Sequence, residues 1–132
     1  MEARVHYHLA DARSFEGRRV IVVGLGDVAM EAAVALSRQP GTAVTVVHRG
    51  EGFARGKSRN IAELKRLVEA GRVGLRLQSE VVALDMERAT VRGPKGEAKL
   101  GYDAVLVMIG SIPPWDALRA AGVRTVGEAP GA

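Results

Sequence analysis

The chain has 132 residues, 47% of them hydrophobic and 26% charged, with a formal net charge of +4. That length suits one domain with a core of its own, and no low-complexity tract or long acidic run argues for disorder. The absence of cysteine excludes a disulfide framework, a Cys-ligated metal site, a cysteine nucleophile and a Cys-x-x-Cys redox pair within these residues.

Residues 1–17 carry no sustained helical or strand period and read as a lead-in segment that packs on the domain. From residue 18 the pattern sharpens. Val20-Ile21-Val22-Val23 is an unbroken β-branched run ended by glycine, as expected of a strand buried on both faces of a parallel sheet. Residues 29–37 then read as a helix, with Val28, Ala33 and Leu36 spaced to face the sheet and Pro40-Gly41 behind them. A second buried strand is expected at Ala43–Val47, followed by a polar connection over 53–60. Ile61, Leu64, Leu67 and Val68 recur at helical spacing until Gly71.

Short strand candidates follow at 73–77, 79–84, 89–91 and 98–102, with Gly93-Pro94-Lys95-Gly96 as a hairpin turn, and these are expected to form a small antiparallel meander. Residues 104–109 read as the last buried strand and 114–121 as a short final helix. The expected fold is therefore α/β: a Rossmann-like parallel sheet with flanking helices, right-handed crossovers and an inserted antiparallel β-meander. Residues 18–123 form the expected domain and 124–132 a C-terminal tail. No apolar run is long enough to span a bilayer and no signal pattern opens the chain, so a cytoplasmic protein without a membrane partner is expected.

Gly24-x-Gly26-x-x-Ala29 stands between an expected strand and an expected helix, the context a dinucleotide fingerprint requires. Gly24 allows the tight turn, Gly26 lets backbone approach a pyrophosphate, and Ala29 keeps the helix close to the sheet. The helix N-terminus then offers unpaired amides to the anion. A loop serving only as a turn is the competing reading.

Cofactor choice is read about 20 residues on, where an acid bonds the 2′-hydroxyl of NAD and a base accepts the 2′-phosphate of NADP. Here the second strand ends in His48-Arg49, and the nearest acid, Glu51, lies beyond Gly50 among cations. Arg49 is thus the candidate phosphate ligand, against the alternative of a solvated basic surface that leaves the cofactor open. The segment from Arg49 to Arg66 holds six cations and two anions, an excess as large as that of the whole chain, which favours an anionic ligand at that place.

At these residues the sequence resembles the NADPH-binding domain of thioredoxin reductase-like flavoproteins, in the pyridine nucleotide-disulfide oxidoreductase superfamily, over residues 15–123. Gly24-Leu25-Gly26-Asp27-Val28-Ala29-Met30-Glu31 matches the family's Gly-x-Gly-x-x-Ala-x-Glu. Val46-Val47-His48-Arg49-Gly50-Glu51-Gly52-Phe53 matches its strand followed by His-Arg-Arg-x-x-Phe, and residues 102–110 match its last strand with the Ile-Gly end. The resemblance implies that Gly24, Leu25, Gly26, Asp27, Val28 and Ala29 wrap the pyrophosphate and that His48 and Arg49 border the 2′-phosphate. It also implies that Met108, Ile109 and Gly110 border the nicotinamide side, with Glu31 near that ring or merely exposed on its helix. Two departures touch cofactor choice: Gly50 replaces the family's second arginine, and Ala54 precedes Arg55 where the family has arginine directly after the phenylalanine. Arg55 and Lys57 are the candidates to compensate.

The cofactor so implied is NADPH, with NADH open. FAD is expected only in a full-length protein, because no second fingerprint and no motif for the flavin's distal end occur here. The expected function is an enzyme module that positions the nicotinamide for hydride transfer to a flavin held by an FAD-binding domain of the same polypeptide, itself inactive when isolated. Homodimerisation stays open. The alternative is a regulatory domain that senses a dinucleotide without turning it over. A short-chain dehydrogenase fails on its Tyr-x-x-x-Lys pair, since Asp11 follows Tyr7 and Leu106 follows Tyr102 at that spacing. A nucleic-acid module lacks a stacking cluster among its two Phe, two Tyr and one Trp. His6-x-His8 has no evident third metal ligand and reads as surface histidines.

Overall fold

The computed structural model describes residues 5–9, 11–53, 56–108 and 124–125. Among the described residues, nine strands and two α-helices run in the order β1 (Val5–His6), β2 (Arg19–Val23), α1 (Asp27–Ser37), β3 (Ala43–Val47), α2 (Ser58–Glu69), β4 (Val73–Arg76), β5 (Glu80–Leu84), β6 (Arg88–Gly93), β7 (Gly96–Gly101), β8 (Ala104–Val107) and β9 (Arg124–Thr125). A 3₁₀ turn at Ala12–Phe15 separates β1 from β2.

Five strands form a wholly parallel sheet in the order β1-β8-β2-β3-β4. β5, β6 and β7 form an antiparallel meander, and β9 joins its edge parallel to β5. The result is a Rossmann-like α/β fold with an inserted meander, as the sequence pattern indicates.

The unbroken apolar runs are explained by burial from both sides. Val20, Val22, Val44, Val46, Ala104 and Leu106 face α1 and α2, where they meet Ala29, Met30, Ala33, Leu36, Leu64 and Leu67. Ile21, Val23, Val47, Val105 and Val107 point the other way and pack on Val81, Leu84, Ala89, Val91 and Tyr102 of the meander and the loop after it. The period of two along each strand therefore divides one sheet between two cores.

Three expectations are corrected. Residues 73–76 pair with β3 in the parallel sheet rather than opening the meander. Four residues with alternate burial suit either setting, and the register is decided by α2, which returns the chain to the β3 edge. Within the lead-in segment, Val5–His6 pairs with Val105 and Leu106 as an edge strand, and Phe15 is buried, with the His6 ring edge-on at 5.2 Å. His6 is thus partly buried rather than a surface residue. Finally, Val28 is 64% exposed, because α1 begins at Asp27 and turns Ala29 and Met30, not Val28, toward the sheet. The expected final helix at 114–121 lies outside the described residues.

Candidate functional site

The chain runs β2–α1–β3–α2–β4 to one side, crosses the meander, and returns as β8 on the other side of β2. The order reverses at β2, so the loops after β2 and β8 diverge at the carboxyl ends of the strands, where open α/β sheets leave a ligand crevice. Hydrogen bonds fix that rim. The Gly24 amide donates to the Val47 carbonyl at 3.0 Å and the Met108 amide to the Val23 carbonyl at 2.8 Å. The His48 amide donates to the Arg76 carbonyl at 2.9 Å.

The two fingerprint glycines differ in what they require. Gly24 has φ +120°, a conformation that side-chain-bearing residues rarely adopt, and its amide is already used by Val47. Gly26 has φ −82° and ψ −175°, open to any residue, and a Cβ built on it would meet nothing within 4 Å. Neither backbone nor packing explains the glycine at 26. What it leaves is open space over the start of α1.

That start is unprotected. Gly26 is the N-cap and supplies no side-chain bond, and the first intrahelical bond joins the Met30 amide to the Gly26 carbonyl at 2.9 Å. The amides ahead of Met30 therefore lack helical acceptors and carry the positive end of the helix dipole. Leu25 is 4% exposed, so only its backbone can face the crevice, and Ala29 at 1% lets α1 lie close on the sheet.

Asp27, the acid nearest these amides, is turned aside: its Oδ1 accepts from the Lys57 amide at 2.7 Å and from Asn60 Nδ2 at 2.8 Å. These bonds hold its carboxyl below the usual carboxylate range, the Lys57 backbone bond contributing most. The bonds also tie the N-terminus of α2 to that of α1. Gly56, at φ +115°, completes the junction, since a Cβ there would run into Met30 Cε and come within 3.1 Å of Asp27 Oδ1. Lys57 is thereby brought beside the glycine loop through its backbone, with its own side chain exposed.

The second half of the candidate site lies past β3. The Gln78 amide donates to the Gly50 carbonyl and the Ser79 amide to the His48 carbonyl, each at 2.9 Å, so the loops after β3 and β4 zip together. Gln78 adopts φ +51°, the one non-glycine residue with positive φ among those described. Burial keeps the His48 imidazole below its ordinary value, and its Nε2 lies 2.6 Å from where a Cβ at position 50 would stand. The glycine that stands in place of the family's second arginine accommodates this ring.

Arg49 extends from the rim to an acid that sequence spacing does not reveal, with its Nε 3.7 Å from Glu80 Oε2. Glu80 opens β5, 31 positions along the chain, and no local motif links the two; only the β3–β4 zipper brings them together. Glu31 is exposed on α1 beside the α1–α2 groove, with Arg38, Arg59 and Glu63 as neighbours along that groove. Met108 is buried at the end of β8, next to β2. Arg55, Ile109 and Gly110 lie outside the described residues. Among the described residues no group of three or more His, Cys, Asp or Glu could hold a metal, and no helix is long and apolar enough to cross a membrane.

Residues 2–129 match the family described as pyridine nucleotide-disulphide oxidoreductase. The chain belongs to that family. It is therefore a member of an oxidoreductase family that depends on flavin and pyridine nucleotide. A ferredoxin–NADP reductase of Paraburkholderia phymatum is 32% identical over 127 residues, covering 93% of this chain and 36% of that protein. Another from Ignicoccus hospitalis is 37% identical over 116 residues, covering 83% of this chain and 36% of the relative. The chain thus spans about a third of the length of these relatives. In fold it is similar to a bacillithiol disulfide reductase from Bacillus cereus, with TM-score 0.78 and 23% identity over 91% of this chain and 37% of that one. The T. acidophilum thioredoxin reductase gives TM-score 0.69 and 20% identity, over 94% of this chain and 41% of that one.

Proposed function

We propose that residues 18–123 are the NAD(P)H-binding unit of an FAD-dependent oxidoreductase and that the nucleotide preferred is NADPH. The observation that carries this reading is Gly26: a glycine required by neither its dihedrals nor its neighbours, set over the free amides of α1. A pyrophosphate accounts for both, because it fills the space a side chain would take and accepts from those amides.

NADPH, when bound, supplies a hydride to a flavin, which a neighbouring FAD-binding domain of the same polypeptide would hold. The residues of this chain bind and orient. Gly24 sets the turn, the amides ahead of Met30 hold the pyrophosphate, and the Asp27 carboxylate stays clear of the anion because Lys57 and Asn60 engage it. Arg49 supplies a guanidinium for the 2′-phosphate. Met108, buried just past the end of β8, would support the crevice from beneath on the side assigned to the nicotinamide. That the chain covers about a third of its relatives, and that those relatives carry NADP in their names, supports a module that works with further domains.

The test is a calorimetric titration of the purified 132-residue chain with NADPH and NADH, alongside its visible absorption spectrum. The expected outcome is saturable binding with NADPH the tighter ligand, no flavin absorption, and no appreciable NADPH oxidation by the chain alone. A chain that binds neither nucleotide, or one that is yellow as purified, contradicts the assignment.

A further inference from the structure

Beside the candidate 2′-phosphate position the meander carries a row of alternating charges. β5, β6 and β7 place Glu80 opposite Arg92 and Arg92 opposite Glu97 in register. Arg92 Nη2 reaches Glu97 Oε2 at 2.9 Å, and Arg49 comes from the β3 loop to within 3.7 Å of Glu80 at the other end. Directly opposed residues of an antiparallel pair hold their Cβ atoms about 4.5–5.5 Å apart. Glu80 therefore neighbours Arg92 in the ladder, where Glu97 engages the Arg92 guanidinium, while its own carboxylate faces Arg49. Glu80, Arg49 and Arg92 line one open cleft of about 400 Å³, together with Gln78, the residue in the left-handed region.

An exposed guanidinium is where an anion is favoured, and beside Arg49 this chain sets an anion of its own. Resting on the NADPH reading above, we propose that Glu80 is a specificity-determining residue: its carboxylate competes with the 2′-phosphate for Arg49 and so narrows the preference for NADPH over NADH. The pair is built for exchange. Arg49 is 62% exposed and Glu80 31%, and an ion pair so open to water is weak, whereas a phosphate dianion offers Arg49 a stronger partner. The Glu80 charge also repels the incoming phosphate at short range, and a 2′-hydroxyl feels neither effect. Gly50 leaves no arginine directly beside Arg49 to outweigh the competitor.

The test is calorimetric titration of the whole chain and its Glu80→Gln, Arg49→Ala and double variants with NADPH, NADH and 2′,5′-ADP, folding being checked by thermal melting. Glu80→Gln should tighten NADPH and 2′,5′-ADP by roughly three- to tenfold at low salt, a change of up to about 1.4 kcal/mol, and leave NADH unchanged. The gain should vanish in the Arg49→Ala background and shrink as salt screens the charges. Unchanged or weaker NADPH binding in Glu80→Gln overturns the proposal, as does an equal gain for NADH or a gain that survives Arg49→Ala. A selective loss of NADH would instead make Glu80 a ribose ligand. Failure of the wild-type chain to bind any of the three ligands counts against the NADPH reading itself, a separate result from wild-type binding that is indifferent to Glu80.

Discussion

The two halves of the candidate site offer positive charge by different means. After β2 the donors are backbone amides at the start of α1, fixed by the fold, with the nearest acid engaged elsewhere by Lys57 and Asn60. After β3 the donor is an exposed side chain, Arg49, already paired with Glu80. Backbone donors need no reorganisation and are indifferent to which dinucleotide arrives. A guanidinium in water that is already opposed by a carboxylate tunes the choice between related ligands. The first region is thus expected to govern whether a dinucleotide binds, and the second which one.

The sharpest way to break that division is Gly26→Val. The backbone at 26 accepts valine and no atom beyond its chain neighbours lies within 4 Å of the new Cβ, so the melting temperature should fall only by the modest cost of a poorer N-cap while both NADPH and NADH lose more than about a hundredfold in affinity, about 2.8 kcal/mol or more. Equal affinity by calorimetry would reduce the loop to a turn. Arg49→Ala should act on one ligand: NADPH weakens roughly ten- to a hundredfold, as expected for a charge-assisted bond of about 1.5–3 kcal/mol, and NADH loses little. Equal losses for the two nucleotides would mean that Arg49 supports the loop and does not read the phosphate.

Gly24→Ala sharpens the contrast between the two glycines. At φ +120° it should cost about 1–3 kcal/mol of stability in chemical denaturation, where alanine at 26 should cost about 1 kcal/mol or less, the loss of a glycine N-cap. The smallest effect belongs to Asp27→Asn. The folded carboxyl titrates below its ordinary value of 3.8, so it stabilises the fold above that pH and the contribution is lost as pH falls through the lower folded value. The variant should melt slightly below wild type at pH 7, and the gap should close under acid conditions below about pH 4. A gap that is constant with pH would show that the Asp27 charge is not what joins α1 to α2.

Much of the first region is legible in the sequence because its determinants are local. A β-branched run, two glycines and an alanine are consecutive, and their burial pattern and helix start are set within about ten positions. The second region depends on contacts that sequence spacing does not encode. Glu80 meets Arg49 only because β4 joins the parallel sheet and its exit loop zips to the loop after β3. With Val73–Arg76 assigned to the meander, that meeting is invisible. Val28 departs from its expected place for a related reason: one apolar residue at a helix start fits a sheet-facing pattern, but the phase of the helix is set by where Gly26 ends the turn. Lys57 also makes a contact that sequence spacing does not reveal, the backbone bond to Asp27 that ties α2 to α1.

The central claim is that the amides heading α1 hold the dinucleotide pyrophosphate, and amide-resolved NMR of the 132-residue chain during an NADPH titration tests it most directly. The amide resonances of Gly26, Asp27, Val28 and Ala29 should move together and saturate, with Arg49 following for NADPH and moving far less for NADH. Saturating NADPH that leaves those four amides in place, or shifts gathered instead along the groove between α1 and α2, would contradict it.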